Sequence, residues 1–164
     1  MKLLFMGCEF GQSREWAHDE SLDWHLLEYP VHQGLSRWVQ DLNRLYQSEG
    51  ALFEIDSESH GFEWIDCNDR QGSIISFLRH GKTPGDELVV ICNFTPVPRE
   101  GYRLGVPHSG YWREVLNSDA EIYAGTGVGN RGGLNTEEVG DHGRPYSLNL
   151  RIPPLGCLVF KRSR

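Results

Sequence analysis

At 164 residues the chain has the size of one ordinary domain, with room for a core and a short appended piece. Hydrophobic residues make up only 38%, and 19 glycines with 8 prolines favour a turn-rich β body over a helical bundle. A net charge of −7 argues against nucleic acid and anionic membranes as partners, because phosphate binding needs basic clusters. The densest basic run, Lys161-Arg-Ser-Arg164, reads as a solvated tail.

The chain begins with a short apolar run, Leu3 to Met6, closed by Gly7. Such a run reads as a strand buried on both faces, the kind found in parallel sheets. Behind it a glycine-punctuated loop carries Glu9, Gln12, Arg14, Glu15, Trp16 and Trp24. Polar and aromatic groups just past a buried strand suit the working face of an α/β barrel, which needs eight such strands. No later stretch repeats the pattern, so the expectation is a barrel's last strand, with the remainder upstream. Without barrel neighbours, residues 1–25 are expected to be poorly ordered or held by another copy, because unpaired strand edges seek new partners.

From Pro30 to Gly50 the apolar spacing turns helical: Val31, Leu35, Trp38, Leu42, Leu45 and Tyr46 form one stripe. Pro30 suits the first turn and Gly50 the stop, while Gly34 costs about 1 kcal/mol and predicts a frayed start. Beyond residue 50 short strands alternate with turns. Residues 62–65 and 73–79 read as a hairpin, and 88–94 as a central strand with two apolar faces. A further hairpin is expected from 102–106 and 111–117 across Pro107–Gly110. Residues 118–145 predict a long surface excursion, and 146–152 and 157–160 the last two strands. The fold class expected is therefore mainly β: an antiparallel β-sandwich preceded by the last strand and helix of a truncated (β/α)8 barrel.

Cys8, Cys67, Cys92 and Cys157 fit no CxxC spacing and read as reduced thiols, pointing to a cytoplasmic protein. No segment approaches the roughly 20 apolar residues of a membrane helix, and no signal peptide is recognisable. No cofactor or metal is expected. His18, His25 and His32 recur every seven residues, but ligand pairs on helices more often sit closer, and Pro30 interrupts a continuous helix.

Glu9 is the obvious candidate acid. A glycosidase-type site needs two carboxylates roughly 5–10 Å apart, and no neighbouring acid has a spacing that establishes the pair. A structural carboxylate at a site floor is the better reading. Gly125-Thr-Gly-Val-Gly-Asn130 lacks the lysine, strand and helix of a phosphate loop and reads as a glycine-rich turn. Trp16 and Trp24 suit either sugar stacking or packing, while packing is favoured for Trp64 and Trp112.

Several strings resemble the C-terminal part of bacterial-type 1,4-α-glucan branching enzymes. They are Lys2-Leu-Leu-Phe-Met-Gly-Cys-Glu-Phe-Gly-Gln12, Glu15-Trp16, Leu22-Asp-Trp-His-Leu-Leu27, His32-Gln-Gly34, Asp41-Leu-Asn-Arg-Leu-Tyr46, Gly61-Phe-Glu-Trp-Ile-Asp66, Cys92-Asn-Phe-Thr-Pro-Val97, Leu116-Asn117 and Pro153-Pro-Leu155. They run in order through nearly the whole chain; Cys8 replaces a usual asparagine. The resemblance implies that residues 2–6 are the eighth barrel strand and 31–48 belong to its last helix. Residues 1–50 are then a remnant of the catalytic barrel and 51–164 the C-terminal β-sandwich domain. It further implies that the parent enzyme cleaves an α-1,4 linkage and passes the glucan chain to a 6-hydroxyl, using two aspartates and a glutamate on earlier motifs. Those motifs are absent from this chain, so it carries no catalytic residue and the fragment alone is expected to be inactive. Glu9 is implied to help build the active-site floor, with Gln12, Trp16 and Trp24 as weaker candidates for the substrate groove. The partners implied are an α-glucan such as glycogen, bound through the parent, and the upstream barrel of the same polypeptide. A glucan-binding sandwich or a purely structural domain supporting the barrel are the alternatives.

Overall fold

The computed structural model describes residues 2–163; Met1, in the expected 1–50 unit, and Arg164, ending the expected 51–164 unit and the basic tail, lie outside the described residues. Among the described residues one long helix, α1 (Pro30–Ser48), precedes eight strands: β1 (Phe62–Asp69), β2 (Ile74–His80), β3 (Glu87–Asn93), β4 (Arg99–Val106), β5 (Tyr111–Asn117), β6 (Gly133–Asn135), β7 (Tyr146–Ile152) and β8 (Cys157–Arg162). All pairings are antiparallel. A six-stranded sheet runs β1-β2-β3-β8-β5-β6, and β4 pairs with β7 in a second, two-stranded sheet.

The two sheets enclose the main core. Leu104 and Val106 of β4, with Leu148, Leu150 and Ile152 of β7, face Ile74, Leu78, Val89, Ile91, Trp112, Leu158 and Phe160 of the large sheet. The clean alternation of β7 produces this, since its even-numbered apolar residues all fall on one face. Each fully buried aliphatic side chain contributes roughly 1.5–3 kcal/mol relative to exposure. β3 lies between β2 and β8 and is apolar on both faces as expected: Val89 and Ile91 enter the main core. Leu88 and Val90 point the other way, into a second cluster with Ala51, Leu116 and Val159. Trp38 and Leu45 of α1 pack on that cluster, so the helix covers the outer side of the large sheet.

Two expectations are corrected, the 102–117 hairpin and the frayed helix start, and the conformation of residues 2–6 in this chain stands beside them. The hairpin over 102–117 does not form: β4 pairs with β7, whereas β5 pairs with β6 and β8. Residues 107–110 instead carry the chain from one sheet to the other, and the Trp112 indole donates to the His108 carbonyl at 3.2 Å. Hairpin pairing would place Leu104, Val106 and Trp112 in one layer, whereas crossing lets them meet from opposite layers in a dry core. Residues 2–6 form no strand: Leu3, Leu4, Phe5 and Met6 are all exposed, and no strand among the described residues pairs with them. An isolated apolar run has no ladder in which to satisfy its backbone groups. The start of α1 is not broken at Gly34 either; the helix is continuous there. A β-carbon at Gly34 would lie 2.3 Å from the Tyr123 carbonyl oxygen, so the glycine lets the helix and the 121–123 turn touch backbone to backbone.

The 118–145 excursion is folded around carboxylates. Asp119 accepts from the Thr126 hydroxyl at 2.6 Å and from the amides of Thr126 and Val128 at 2.9 and 3.0 Å. The stretch 125–130 is thus wrapped on the Asp119 side chain. No helix among the described residues is long and apolar enough to cross a membrane.

Candidate functional site

The loop that follows the apolar run is held by a small number of specific contacts. Gly7, at φ 85°, and Gly11, at φ 72°, bracket a single 3-10 turn, Cys8–Phe10. Both torsions lie where a β-carbon is disfavoured. The turn drives Phe10 inward to 1% exposure, where its ring meets Trp24 at 5.2 Å between centroids. The Phe10 carbonyl is 2.7 Å from Nδ1 of His32 on α1, which ties the loop to the helix.

Gln12 is a clamp. Its Nε2 donates to the Arg14 carbonyl at 2.9 Å, and its Oε1 accepts from the Asp23 amide at 2.8 Å. Arg14 reinforces the closure with ion pairs to Asp23, at 2.9 Å, and to Glu20. These two carboxylates raise the Arg14 pKa above its ordinary value, Asp23 first. The side chain of Gln12 is therefore spent on loop geometry.

Trp16 meets Phe5 edge-on at 5.6 Å and remains 36% exposed, while Trp24 is 54% exposed above Phe10. Both rings offer free surface. Glu9 lines a groove of about 370 Å³ with Leu4, Phe5, Met6, Ser36, Val39, Gln40 and Asn43. Of the four candidates, the structure thus places Gln12 in the clamp, Trp16 and Trp24 on the loop surface, and Glu9 toward α1. Glu9 is the one carboxylate among the residues that line this groove.

An adjoining groove of about 390 Å³ continues along α1 and is lined by Lys2, Leu3, Leu4, Val39, Leu42, Asn43, Leu45, Tyr46 and Leu52. Together with Val31, 68% exposed, it leaves part of the helix's apolar stripe bare. The stripe predicted from sequence is therefore only half covered: Trp38 and Leu45 dock on the sandwich, whereas Val31 and Leu42 do not.

The sequence reading missed two anchors. Asp56 accepts from Lys2 at 2.7 Å and from Arg79 at 2.8 Å, and these cations hold its carboxyl down at about 2. Asp41 accepts the Tyr123 phenol at 2.7 Å. Neither was visible as a motif, because each joins residues far apart in the chain. Among the described residues, no group of three or more His, Cys, Asp or Glu side chains is arranged to hold a metal ion.

Comparison with known proteins gives this architecture a context. The chain is 58% identical over 160 residues to the 1,4-alpha-glucan branching enzyme GlgB of Pseudomonas putida, covering 98% of this chain and 22% of that protein. It is 55% identical over 160 residues to the protein of the same name from Aquifex aeolicus, covering 98% and 25% respectively. The Cereibacter sphaeroides protein of that name is 58% identical over 158 residues, 96% of this chain and 21% of its own length. The chain thus spans about a fifth to a quarter of the length of the curated relatives it matches. Residues 64–163, the sandwich from within β1 to the end of β8, match the family described as Alpha amylase, C-terminal all-beta domain. The chain belongs to that family of α-amylase C-terminal all-β domains.

Proposed function

We propose that this chain is the C-terminal portion of a 1,4-α-glucan branching enzyme. Residues 1–50 end the catalytic (β/α)8 barrel and 51–164 form the domain packed against it. The parent cleaves α-1,4-glucan and transfers the released chain to a 6-hydroxyl. The observation that carries this reading is identity of 58% over 160 residues, which extends through the loop and helix as well as the sandwich. In the parent, residues 2–6 are the last barrel strand, and their exposed apolar side chains fit a segment whose neighbours come from elsewhere in the polypeptide. Glu9 then belongs to the active-site floor, with Trp16 and Trp24 presenting ring faces to the glucan groove. Gln12 acts by holding the loop that carries them. Four free cysteines support a cytoplasmic setting.

The division of labour is direct. The parent's acids supply chemistry, and this portion supplies one wall of the groove and a rigid support. The test is a branching assay on amylose, followed by the appearance of α-1,6 linkages. The parent polypeptide forms them, and this chain alone leaves the amylose linear. Branching by the isolated chain would overturn the reading.

A second reading, glucan binding by the sandwich itself, has one supporting feature. Trp64 is 48% exposed on β1 and packs edge-on to Phe62 and Phe77. Affinity electrophoresis in glycogen separates the two readings, since retardation abolished by Trp64→Ala would assign glucan binding to the sandwich.

A further inference from the structure

Two of the four cysteines face each other across two adjacent strands. Cys92 of β3 and Cys157 of β8 are register partners. The Asn93 amide donates to the Gly156 carbonyl at 2.9 Å, making the next pair along the hydrogen-bonded one. Cys157 turns its own backbone the other way. Its amide donates to the Ser118 hydroxyl at 2.8 Å, and its carbonyl accepts from the Ser118 amide at 3.0 Å. Cys92 and Cys157 are therefore a non-hydrogen-bonded pair, the type whose α-carbons lie about 4.5 Å apart with side chains closest. That spacing falls within the roughly 4.4–6.8 Å window a disulfide requires. Both residues are partly exposed, at the margin of the cluster under α1.

We propose that Cys92 and Cys157 are a modification site, at which a small-molecule disulfide of the glutathione class installs a reversible cross-strand disulfide. The neighbouring Cys157 thiol lowers the Cys92 pKa, whereas Cys92 and burial raise that of Cys157. Cys92 is accordingly the attacking group. Its thiolate displaces one half of the small disulfide as a thiolate, forming a mixed disulfide. Cys157 then gives up its proton, attacks the Cys92 sulfur and expels the second small thiolate. Two protein thiols are oxidised, one small disulfide is reduced to two thiols, and the protons end on the leaving groups. Cys8 and Cys67 are more exposed, but neither has a cysteine as its register partner.

The test uses the full chain carrying Cys8→Ser and Cys67→Ser, reduced, desalted and incubated with glutathione disulfide without denaturant. The expected product has lost two hydrogens and yields a proteolytic peptide pair linked between Cys92 and Cys157; a dithiol reductant restores both thiols to alkylation. Adding Cys157→Ser traps the mixed disulfide on Cys92, whereas adding Cys92→Ser leaves Cys157 unmodified. Near-ultraviolet circular dichroism confirms that the variants keep the environment of buried Trp112. Two free alkylatable thiols after incubation would overturn the proposal. So would linkage that appears only in denaturant, or a stable mixed disulfide while Cys157 is present.

Discussion

The Tyr123 hydroxyl donates a 2.7 Å hydrogen bond to Asp41 Oδ2, joining α1 to the 121–123 turn across 82 residues of sequence. Arg44 holds the other oxygen of the same carboxylate at 2.6 Å. The pairing lowers the Asp41 pKa, chiefly through the tyrosine hydrogen bond, and burial with the adjacent carboxylate raises that of Tyr123. Trp38 meets the Tyr123 ring edge-on at 5.2 Å, so the contact combines packing with a charge-assisted bond.

Tyr123→Phe keeps the ring and removes the donor. Its expected cost is about 1 kcal/mol, since Asp41 retains Arg44 and some solvent. Urea unfolding should show a lower midpoint with an unchanged slope. The Asp41 pKa, followed by NMR, should rise. An unchanged pKa would mean that the bond does not persist in solution.

Gly34→Ala opposes two principles directly. Helix propensity favours alanine by about 1 kcal/mol. The added carbon would stand 2.3 Å from the Tyr123 carbonyl oxygen, and separating the two backbones is expected to cost about 1–3 kcal/mol. Net destabilisation is therefore expected, and a stabilised Gly34→Ala protein would refute the close approach.

Asp56 makes a prediction for acid. Its carboxyl is held at about 2, below the ordinary 3.8, with Lys2 the largest cause and Arg79 the next. A depressed carboxylate stabilises fully above its unfolded pKa and loses that contribution as pH falls through the folded value. Stability should therefore drop between about pH 4 and pH 2. Lys2 is half exposed, so solvent screening reduces the expected contribution to about 1 kcal/mol. Asp56→Asn should lower stability at neutral pH and flatten this part of the acid limb in parallel urea titrations.

Gln12→Ala should free the 12–23 loop without affecting the sandwich, because both of its hydrogen bonds stay within the loop. Limited proteolysis should cut between residues 13 and 22 faster, while the global unfolding free energy changes by less than about 0.5 kcal/mol. Equal cleavage rates would show that Arg14 alone closes the loop.

Local patterning was enough to reveal α1, both faces of β3 and the inward set of β7. Each depends on a residue's spacing from its near neighbours, such as Leu148, Leu150 and Ile152 at period two. Loop chemistry was less readable. The family resemblance offered Gln12 for the substrate groove, but the two hydrogen bonds it makes to Arg14 and Asp23 could not be read from sequence. Gly34 looked like a defect because its reason lies some 90 positions later, in the backbone at Tyr123.

By itself the sequence determined the mainly β class, the helix, most strand boundaries and the family resemblance, all consequences of local periodicity and short strings. Only the tertiary structure decided that β4 and β5 part company at Pro107–Gly110, that the apolar run at 2–6 has no ladder, and that Cys92 faces Cys157. The reason is physical. Periodicity sets which face of an element is apolar, but strand partners are chosen by the apolar area that whole layers bury together. That choice involves residues far apart in the chain, and no local window contains them.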